Sequence, residues 1–279
     1  MGNADFLSGT PLILFLVFLG FLAGSYGTLV GIGGAVVLTP VLLILYPQAK
    51  PEALTSITMG IVFLNALSGT TAYARQRRID YRNGILFALA TVPGTVFGVW
   101  VLHYLPQRAF AIIFGVMLLV FSVLIWMRPK TGSTPSAAAG ANSVVVDRKG
   151  ERFVYSCNRP LGVALSFGVG FIAGLLGIGG GIIHVPMLIY VLGFPAHIAT
   201  ATSHFILVFT GLTGTITHAA SGTYAQSWQI LLWIALGVIP GAQLGAWLSP
   251  KIKGLILIRL LVLALVLVGV RLVVVGILG

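Results

Sequence analysis

Eight long apolar segments make up most of this chain of 279 residues, and stretches with proline, glycine and charge separate them. A helix needs about 20 consecutive apolar residues to cross the hydrocarbon core of a bilayer. Only 8% of the residues are charged, whereas soluble domains carry about 25%. We therefore predict an all-α polytopic membrane protein in a lipid bilayer. The apolar segments are 11–46, 54–74, 85–104, 109–127, 161–193, 198–220, 229–248 and 254–278.

The two halves of the chain repeat each other in sequence. The offset between matching motifs is 146 or 147 residues throughout, which indicates an internal duplication. Two related halves are typical of secondary transporters. We predict a first membrane repeat over 1–128, a polar loop over 129–160 and a second membrane repeat over 161–279. The matching motifs are GIGGAVVLTPVL from Gly31 and GIGGGIIHVPML from Gly177, TS at Thr55 and at Thr202, and PGTVFGVW from Pro93 and PGAQLGAW from Pro240.

The distribution of lysine and arginine favours one path through the membrane. If every apolar segment crosses once, ten basic residues fall on one side and four on the other. If segments 11–46 and 161–193 bend back as hairpins, the split becomes twelve to two, which fits the excess of basic residues in cytoplasmic loops better. Each half is then a glycine-broken helix hairpin plus three transmembrane helices. Because three further crossings are an odd number, we predict two inverted repeats and a cytoplasmic loop 129–160.

A glycine cluster interrupts each hairpin segment near its middle. The helix that follows begins inside the membrane with free N–H groups, and no Ser, Thr, Asp or Asn stands ready to cap it. A helix N-terminus carries about half a positive charge, so two converging N-termini would attract an anion. The alternative is that these glycines only allow close packing. The candidate glycines are Gly31, Gly33 and Gly34 in the first half and Gly177, Gly179, Gly180 and Gly181 in the second.

Four other pairs of glycines have the spacing of helix-packing motifs, in which small residues let two backbones approach each other. We predict packing rather than binding for these pairs. They are Gly20 with Gly24, Gly94 with Gly98, Gly170 with Gly174, and Gly241 with Gly245.

The positions of the charged residues predict an anionic substrate. All five acidic residues lie outside the apolar segments or at their ends, whereas a cation carrier normally places a carboxylate in mid-membrane. Almost all of the basic residues lie between apolar segments, with Arg259 and Arg271 inside the last one, so we expect no nucleic-acid binding. We expect no cofactor and no metal, because the chain has one cysteine. In addition, His197 and His204 on one helix face would lie about 10 Å apart.

Polar side chains close to the two glycine clusters complete the predicted substrate site. Hydroxyl, amide and imidazole groups can donate hydrogen bonds to oxyanion oxygens. The alternative is that the hydroxyls bond to carbonyls of their own helix. For His204, a proton-linked contact with the anion and a structural hydrogen bond both stay open. The candidates are Thr55, Ser56 and Asn65 in the first half and Thr202, Ser203 and His204 in the second.

The duplicated pattern GFxAG, GIGG, TS and PGxxxGxW resembles the sulfite exporter TauE/SafE family over nearly the whole chain except the central loop. This resemblance implies a bacterial inner-membrane permease that exports small anions such as sulfite or organosulfonates. The first half departs from the second in two places. It has a four-residue insertion, GFLAGSYGTLVGIGG against GFIAGLLGIGG, and Ala35 where the second half has Gly181. The sequence therefore does not predict that the two breaks share one geometry.

Three functions remain open at this point. Secondary transport by alternating access explains the duplicated breaks best, and an anion channel would need the same features. An intramembrane hydrolase would need a nucleophile and a base, but Ser203 and His204 are adjacent in the sequence and point about 100° apart on a helix. We therefore expect no enzymatic activity. A homodimer stays open as the oligomeric state.

Overall fold

The computed structural model describes residues 9–46, 49–126 and 142–249, and positions 262, 266, 269–270, 272–274 and 276–277 of the last apolar segment. Most of the predicted span 254–278 and the first part of the polar loop therefore lie outside the described residues. The elements are α1 (Thr10–Val30), α2 (Ala35–Leu45), α3 (Pro51–Arg75), α4 (Tyr81–Leu102), α5 (Gln107–Trp126), β1 (Ser143–Val146), β2 (Arg152–Tyr155), α6 (Arg159–Leu176), α7 (Gly181–Tyr190), α8 (Ala196–Ala220) and α9 (Trp228–Leu248).

Six of these helices are long and apolar enough to cross a membrane, namely α1, α3, α4, α6, α8 and α9. Large apolar side chains face outward from them, including Phe18, Trp100 and Trp247. A helix that is apolar on both its buried and its exposed face suits a bilayer rather than water. The prediction of an all-α polytopic membrane protein is confirmed.

Both hairpin segments are interrupted where the glycine clusters lie. Helix α1 ends at Val30 with Gly31 as its C-cap, and α2 begins after its N-cap Gly34; both glycines have left-handed backbone angles, with φ of 88° and 75°. Helix α6 ends at Gly177 and α7 begins after Gly180, with φ of 69° and 84°. Glycine adopts this conformation at no steric cost, which is why it ends so many helices.

Small residues set the packing of the outer helix pairs, as predicted. A Cβ added at Gly24 of α1 would lie 2.6 Å from the carbonyl oxygen of Val238 in α9, and Gly20 meets Ile234 in the same way. On the other side of the molecule, Gly174 of α6 meets the backbone of Thr95 in α4. Because these contacts advance in the same direction along both helices, α1 runs parallel to α9. By the same argument, α6 runs parallel to α4. The close approach depends on the missing side chains.

Helices α3 and α8 cross at the centre of the molecule, where most of their surface is buried. A Cβ at Gly211 of α8 would lie 2.7 Å from the backbone nitrogen of Phe63, and one at Gly214 would lie 2.9 Å from Sδ of Met59. Later residues of α8 thus meet earlier residues of α3. The two central helices therefore run antiparallel.

The described part of the polar loop contains a β-hairpin, which the sequence analysis did not predict. Strands β1 and β2 pair antiparallel, with Ser143 opposite Tyr155. Val145 and Tyr155 are buried and pack in one apolar cluster with Phe87 of α4 and Phe194 before α8. The β-hairpin thus packs against residues of both halves of the molecule and does not lie free in solvent.

Candidate functional site

The two helix breaks share one backbone geometry. The first, third and fourth positions of each GIGG motif have positive φ, so the four-residue insertion in the first half does not alter the break itself. L-residues with side chains rarely adopt these angles, and this explains glycine at each of the six positions. They are Gly31, Gly33 and Gly34 (φ 88°, 85° and 75°) and Gly177, Gly179 and Gly180 (φ 69°, 73° and 84°).

The two breaks lie directly against each other. Gly181 begins α7, and a Cβ there would lie 2.7 Å from Cα of Ile32 and 2.8 Å from the carbonyl oxygen of Gly31. Gly181 therefore allows close approach and is not needed for a special backbone angle. The equivalent residue Ala35 has room for its methyl group, which lies in a small cluster with Val62 and Leu207.

Each break also rests on the central helix of the opposite half. A Cβ added at Gly31 would lie 2.8 Å from Cγ2 of Thr200 in α8, and one at Gly177 would lie 2.8 Å from Cβ of Thr55 in α3. Gly33 and Gly179 both face Val62 and Leu207 at the crossing of α3 and α8. Apolar side chains thus close the space next to the breaks.

Backbone hydrogen bonding distinguishes the two breaks. In the first, the carbonyl of Gly27 accepts hydrogen bonds from the N–H groups of Ile32 (2.8 Å), Gly31 (2.9 Å) and Gly33 (3.2 Å). Among the N–H groups of residues 31–36, those of residues 34 and 36 are the ones without a backbone partner in the described part of the chain. In the second break, the N–H of Gly177 donates to the carbonyl of Ala173 at 2.9 Å, and none of the N–H groups of residues 178–182 makes a short, well-aligned backbone hydrogen bond to a described residue. The second break therefore offers more free donors than the first.

The insertion in the first half explains this difference. Six residues lie between Gly24 and Gly31, whereas two lie between Gly174 and Gly177. Four extra residues add about one helical turn to α1. This extra turn carries Gly27, whose carbonyl takes the donors of the first break.

The threonine and serine pairs have different partners. Thr55 and Ser56 donate to carbonyls of their own helix, at Pro51 (2.9 Å) and Ala53 (2.8 Å), which matches the structural alternative for these hydroxyls. Ser203 donates across the molecule to the carbonyl of Gly31 at 3.2 Å. Ser203 is therefore bonded directly to a break.

Thr202 is joined to the loop before α4. Its hydroxyl oxygen accepts a hydrogen bond from the backbone N–H of Asp80 at 3.0 Å. The side chain of Asp80 caps α4 by accepting from the N–H of Asn83 at 3.1 Å. Thr202 thus connects central helix α8 to the start of α4.

Asn65 and His204 meet at a residue that the sequence analysis did not single out, Thr28. The Thr28 hydroxyl donates to Oδ1 of Asn65 at 3.0 Å, and Nε2 of His204 lies 3.2 Å from the same hydroxyl oxygen. The Thr28 hydroxyl donates its one proton to Asn65. In the second hydrogen bond, the Thr28 oxygen is therefore the acceptor and Nε2 of His204 is the donor. Thr28 lies in the four-residue insertion of the first half. That insertion is the sequence feature that could have pointed to Thr28.

Two polar groups of this cluster are left over. Nδ2 of Asn65 and Nδ1 of His204 are buried and have no hydrogen-bond partner among the described residues. The edge of the Tyr73 ring packs on the imidazole, with ring centroids 5.6 Å apart, and the Tyr73 hydroxyl donates to the carbonyl of Thr28. Unpaired buried polar groups are costly unless a ligand or water satisfies them.

Interrupted helices that meet at the centre of a polytopic helical membrane protein are typical of secondary transporters, which bind their substrates at such breaks. The chain belongs to the sulfite exporter TauE/SafE family, whose profile matches residues 16–272. The protein is a membrane transporter.

Similar proteins in other organisms carry the same general description. One is the probable membrane transporter protein YunE of Bacillus subtilis, which is 31% identical over 94% of this chain and 97% of its own length. Another, a probable membrane transporter protein of Haemophilus influenzae, is 27% identical over 87% of both chains. No solved structure is significantly similar to this chain.

Proposed function

We propose that this transporter exports a small oxyanion, sulfite or an organosulfonate, across the cell inner membrane by alternating access, and that the anion binds at the glycine breaks. The family's description as sulfite exporters supports the substrate class. The charge distribution agrees, because none of the carboxylates that the structure describes lies in the middle of a spanning helix. A site for an anion needs no carboxylate, whereas one for a cation normally does.

The observation that carries the proposal is the set of N–H groups at residues 178–182, at the start of α7, which make no short, well-aligned backbone hydrogen bond to a described residue. Backbone N–H groups at a helix N-terminus bind anions, because they are unpaired donors at the positive end of the helix dipole. The second break accordingly contributes most of the binding, and the first break closes against it through Gly31 and Ile32.

The helix registers support inverted repeats. Helices α3 and α8 occupy equivalent places in the two halves and run antiparallel, while α1 pairs in parallel with α9 and α6 with α4. This arrangement is expected when one half is turned over relative to the other. Rocking of such halves against each other is the usual basis of alternating access. In this conformation, Val62 and Leu207 close the space next to the breaks.

Two matched alanine variants test where the anion binds. Gly34→Ala and Gly180→Ala both place a methyl group at a positive φ, and each crowds one neighbour, the backbone carbonyl oxygen of Ala23 at 2.9 Å and the Cγ1 methyl group of Val169 at 2.8 Å. We expect both to lower the melting temperature of the purified protein by a similar amount, because left-handed strain costs about 1–3 kcal/mol at such a site.

The effect of the anion should differ between the two variants. Sulfite should raise the melting temperature of the wild type and of Gly34→Ala, since a ligand stabilises the state that it binds. It should raise that of Gly180→Ala much less. Stabilisation that survives in Gly180→Ala and is lost in Gly34→Ala would place the site at the first break and contradict the proposal.

A further inference from the structure

The β-hairpin (residues 142–157) is bonded to the loop between α3 and α4 and to the first turn of α4. The N–H of Arg148 donates to the carbonyl of Gln76 at 3.0 Å, and Nδ2 of Asn83 donates to the hydroxyl of Ser143 at 3.0 Å. The Tyr155 hydroxyl donates to the carboxylate of Asp80. The β-hairpin therefore covers the end of the molecule at which the α3–α4 loop lies.

A poorly paired arginine lies beneath the β-hairpin. The side chain of Arg78 is 9% exposed, and the one carboxylate that it meets in the described structure is Asp147, with Nη2 and Oδ2 3.5 Å apart. Nε and Nη1 of Arg78 are buried and have no partner among the described residues. A buried guanidinium with unused donors is costly, and a second acceptor group would relieve that cost.

Asp147 is held in place as an ionised carboxylate. Its side chain is 2% exposed, and Oδ1 accepts hydrogen bonds from the N–H groups of Lys149 (2.8 Å) and Glu151 (3.0 Å). Burial by itself would raise the pKa of Asp147, but these two hydrogen bonds and the charge of Arg78 together hold that pKa below its usual value. The turn of the β-hairpin thus presents a fixed negative group to Arg78.

We infer that Arg78 is an oxyanion-binding residue at the loop-side entrance, and that the Asp147 carboxylate occupies it in this closed conformation in place of the transported anion. The inference rests on the proposed function, because it takes a small oxyanion as the cargo. A sulfonate presents three oxygens to the planar fork of a guanidinium and can pair with Nε and Nη1 as well as Nη2. An entering anion displaces Asp147, which removes the ion pair that helps to hold the turn of the β-hairpin and so makes release of the β-hairpin easier.

Release of the β-hairpin has a direct route to the glycine breaks. Asp80 lies two residues after Arg78, and its N–H donates to Thr202 of α8. The next residue of α8, Ser203, donates to the carbonyl of Gly31 in the first break. Movement of the α3–α4 loop therefore acts on the helix that holds this break.

The single cysteine of the chain, Cys157, reports whether the β-hairpin is docked. Its side chain is 2% exposed. Burial, with the Asp80 carboxylate nearby, raises the pKa of the thiol to about 11. Because the thiolate is the reactive species and Cys157 is buried, we expect slow maleimide alkylation while the β-hairpin is docked.

The experiment measures alkylation of Cys157 in the purified full-length protein as methanesulfonate is added, with sodium chloride at equal ionic strength as the reference. Methanesulfonate is the probe because sulfite itself consumes maleimides. We expect the anion to accelerate alkylation of the wild type saturably, by about tenfold, since a charged pair must be replaced to free the β-hairpin. An alkylation rate that does not respond to methanesulfonate overturns the inference.

Three variants separate the roles of the two residues. Asp147→Asn should be alkylated rapidly without anion and gain nothing further, and Arg78→Gln should lose the response to methanesulfonate. Arg75→Gln removes the same charge from an exposed side chain nearby and should respond like the wild type. An equal loss in Arg75→Gln and Arg78→Gln would assign the effect to general electrostatics and overturn the inference.

Failure of the inference and failure of the proposed function give different results. If liposomes containing the wild type transport the sulfonate but Cys157 alkylation does not respond, the entrance site is wrong and the proposed function stands. If the folded wild type neither binds nor transports any oxyanion, the proposed function fails, and the entrance site fails with it.

Discussion

Thr28 shows how one side chain can organise a buried polar site between helices. Its hydroxyl donates a hydrogen bond to Asn65 and accepts one from His204, and its backbone carbonyl accepts a hydrogen bond from the Tyr73 hydroxyl. All four side chains are buried in a protein whose surroundings are lipid and other helices. Polar groups in such surroundings depend on one another for hydrogen bonds, and the Thr28 hydroxyl pairs Oδ1 of Asn65 and Nε2 of His204 while Nδ2 of Asn65 and Nδ1 of His204 stay without a partner among the described residues. Thr28 therefore fixes the imidazole of His204 in one orientation.

Removal of this hydroxyl should be costly. Thr28→Val keeps the shape of the side chain but leaves Nε2 of His204 and Oδ1 of Asn65 without a partner. We expect it to lower the free energy of unfolding by about 1–3 kcal/mol, measured by denaturant titration in detergent. The control is Thr39→Val, whose buried hydroxyl donates only to the Ala35 carbonyl of its own helix, at 2.9 Å. Equal losses in the two variants would contradict the bridging role of Thr28.

The sequence predicted part of the site at this scale. The glycine clusters were predictable because positive φ restricts the residue type, and the six left-handed glycines confirm both breaks. The partners of Thr28 and Arg78 were not predictable, since Asn65 and Asp147 lie far along the chain and only the folded helices bring them together. The unequal N–H bonding of the two breaks also depends on the detailed path of the backbone.

At the scale of helices, small-residue faces set which elements pair. Gly241 and Gly245 of α9 meet the backbone of α1 at Phe21 and Ser25, so any side chain there forces the two helices apart. Gly168 of α6 is different, because a Cβ at this position would meet nothing within 4 Å. The two kinds of glycine should respond in opposite ways to the same substitution.

Gly245→Ala should separate α1 from α9 and destabilise the protein by about 1–3 kcal/mol, as overpacking does elsewhere. Gly168→Ala should be neutral or stabilising by up to about 1 kcal/mol, because alanine is the better helix former. Thermal unfolding of both variants in the same detergent measures the difference. Equal behaviour of the two variants would show that close backbone contact does not hold this helix pair together.

The sequence predicted the helices better than it predicted the strands. Long apolar segments forecast the spans directly, because the bilayer admits few alternatives. The β-hairpin was missed because each strand has only four residues, SVVV and RFVY, in a stretch that reads as a polar loop. Its stability comes from docking: the Tyr155 ring lies 4.6 Å from that of Phe194, a contact with a distant part of the chain.

At the scale of the whole molecule, the two related halves differ in structural detail. In the first break, most N–H groups donate to the Gly27 carbonyl in the extra turn of α1. In the second break, the N–H groups of residues 178–182 make no short, well-aligned backbone hydrogen bond to a described residue. The β-hairpin covers one end of the molecule, where the α3–α4 loop lies, and it follows the first repeat in the sequence. We therefore expect a symmetric framework with one asymmetric binding site and a closure on the loop side.

Counterflow of sulfite in liposomes tests the central claim most directly. Purified protein is reconstituted, the vesicles are loaded with unlabelled sulfite, and uptake of radiolabelled sulfite is followed with and without the internal anion. Alternating access predicts saturable uptake that internal sulfite accelerates, no comparable uptake of sodium or potassium ions, and a large loss in Gly180→Ala. Uptake that rises linearly with concentration and ignores internal sulfite would indicate a channel and contradict the account.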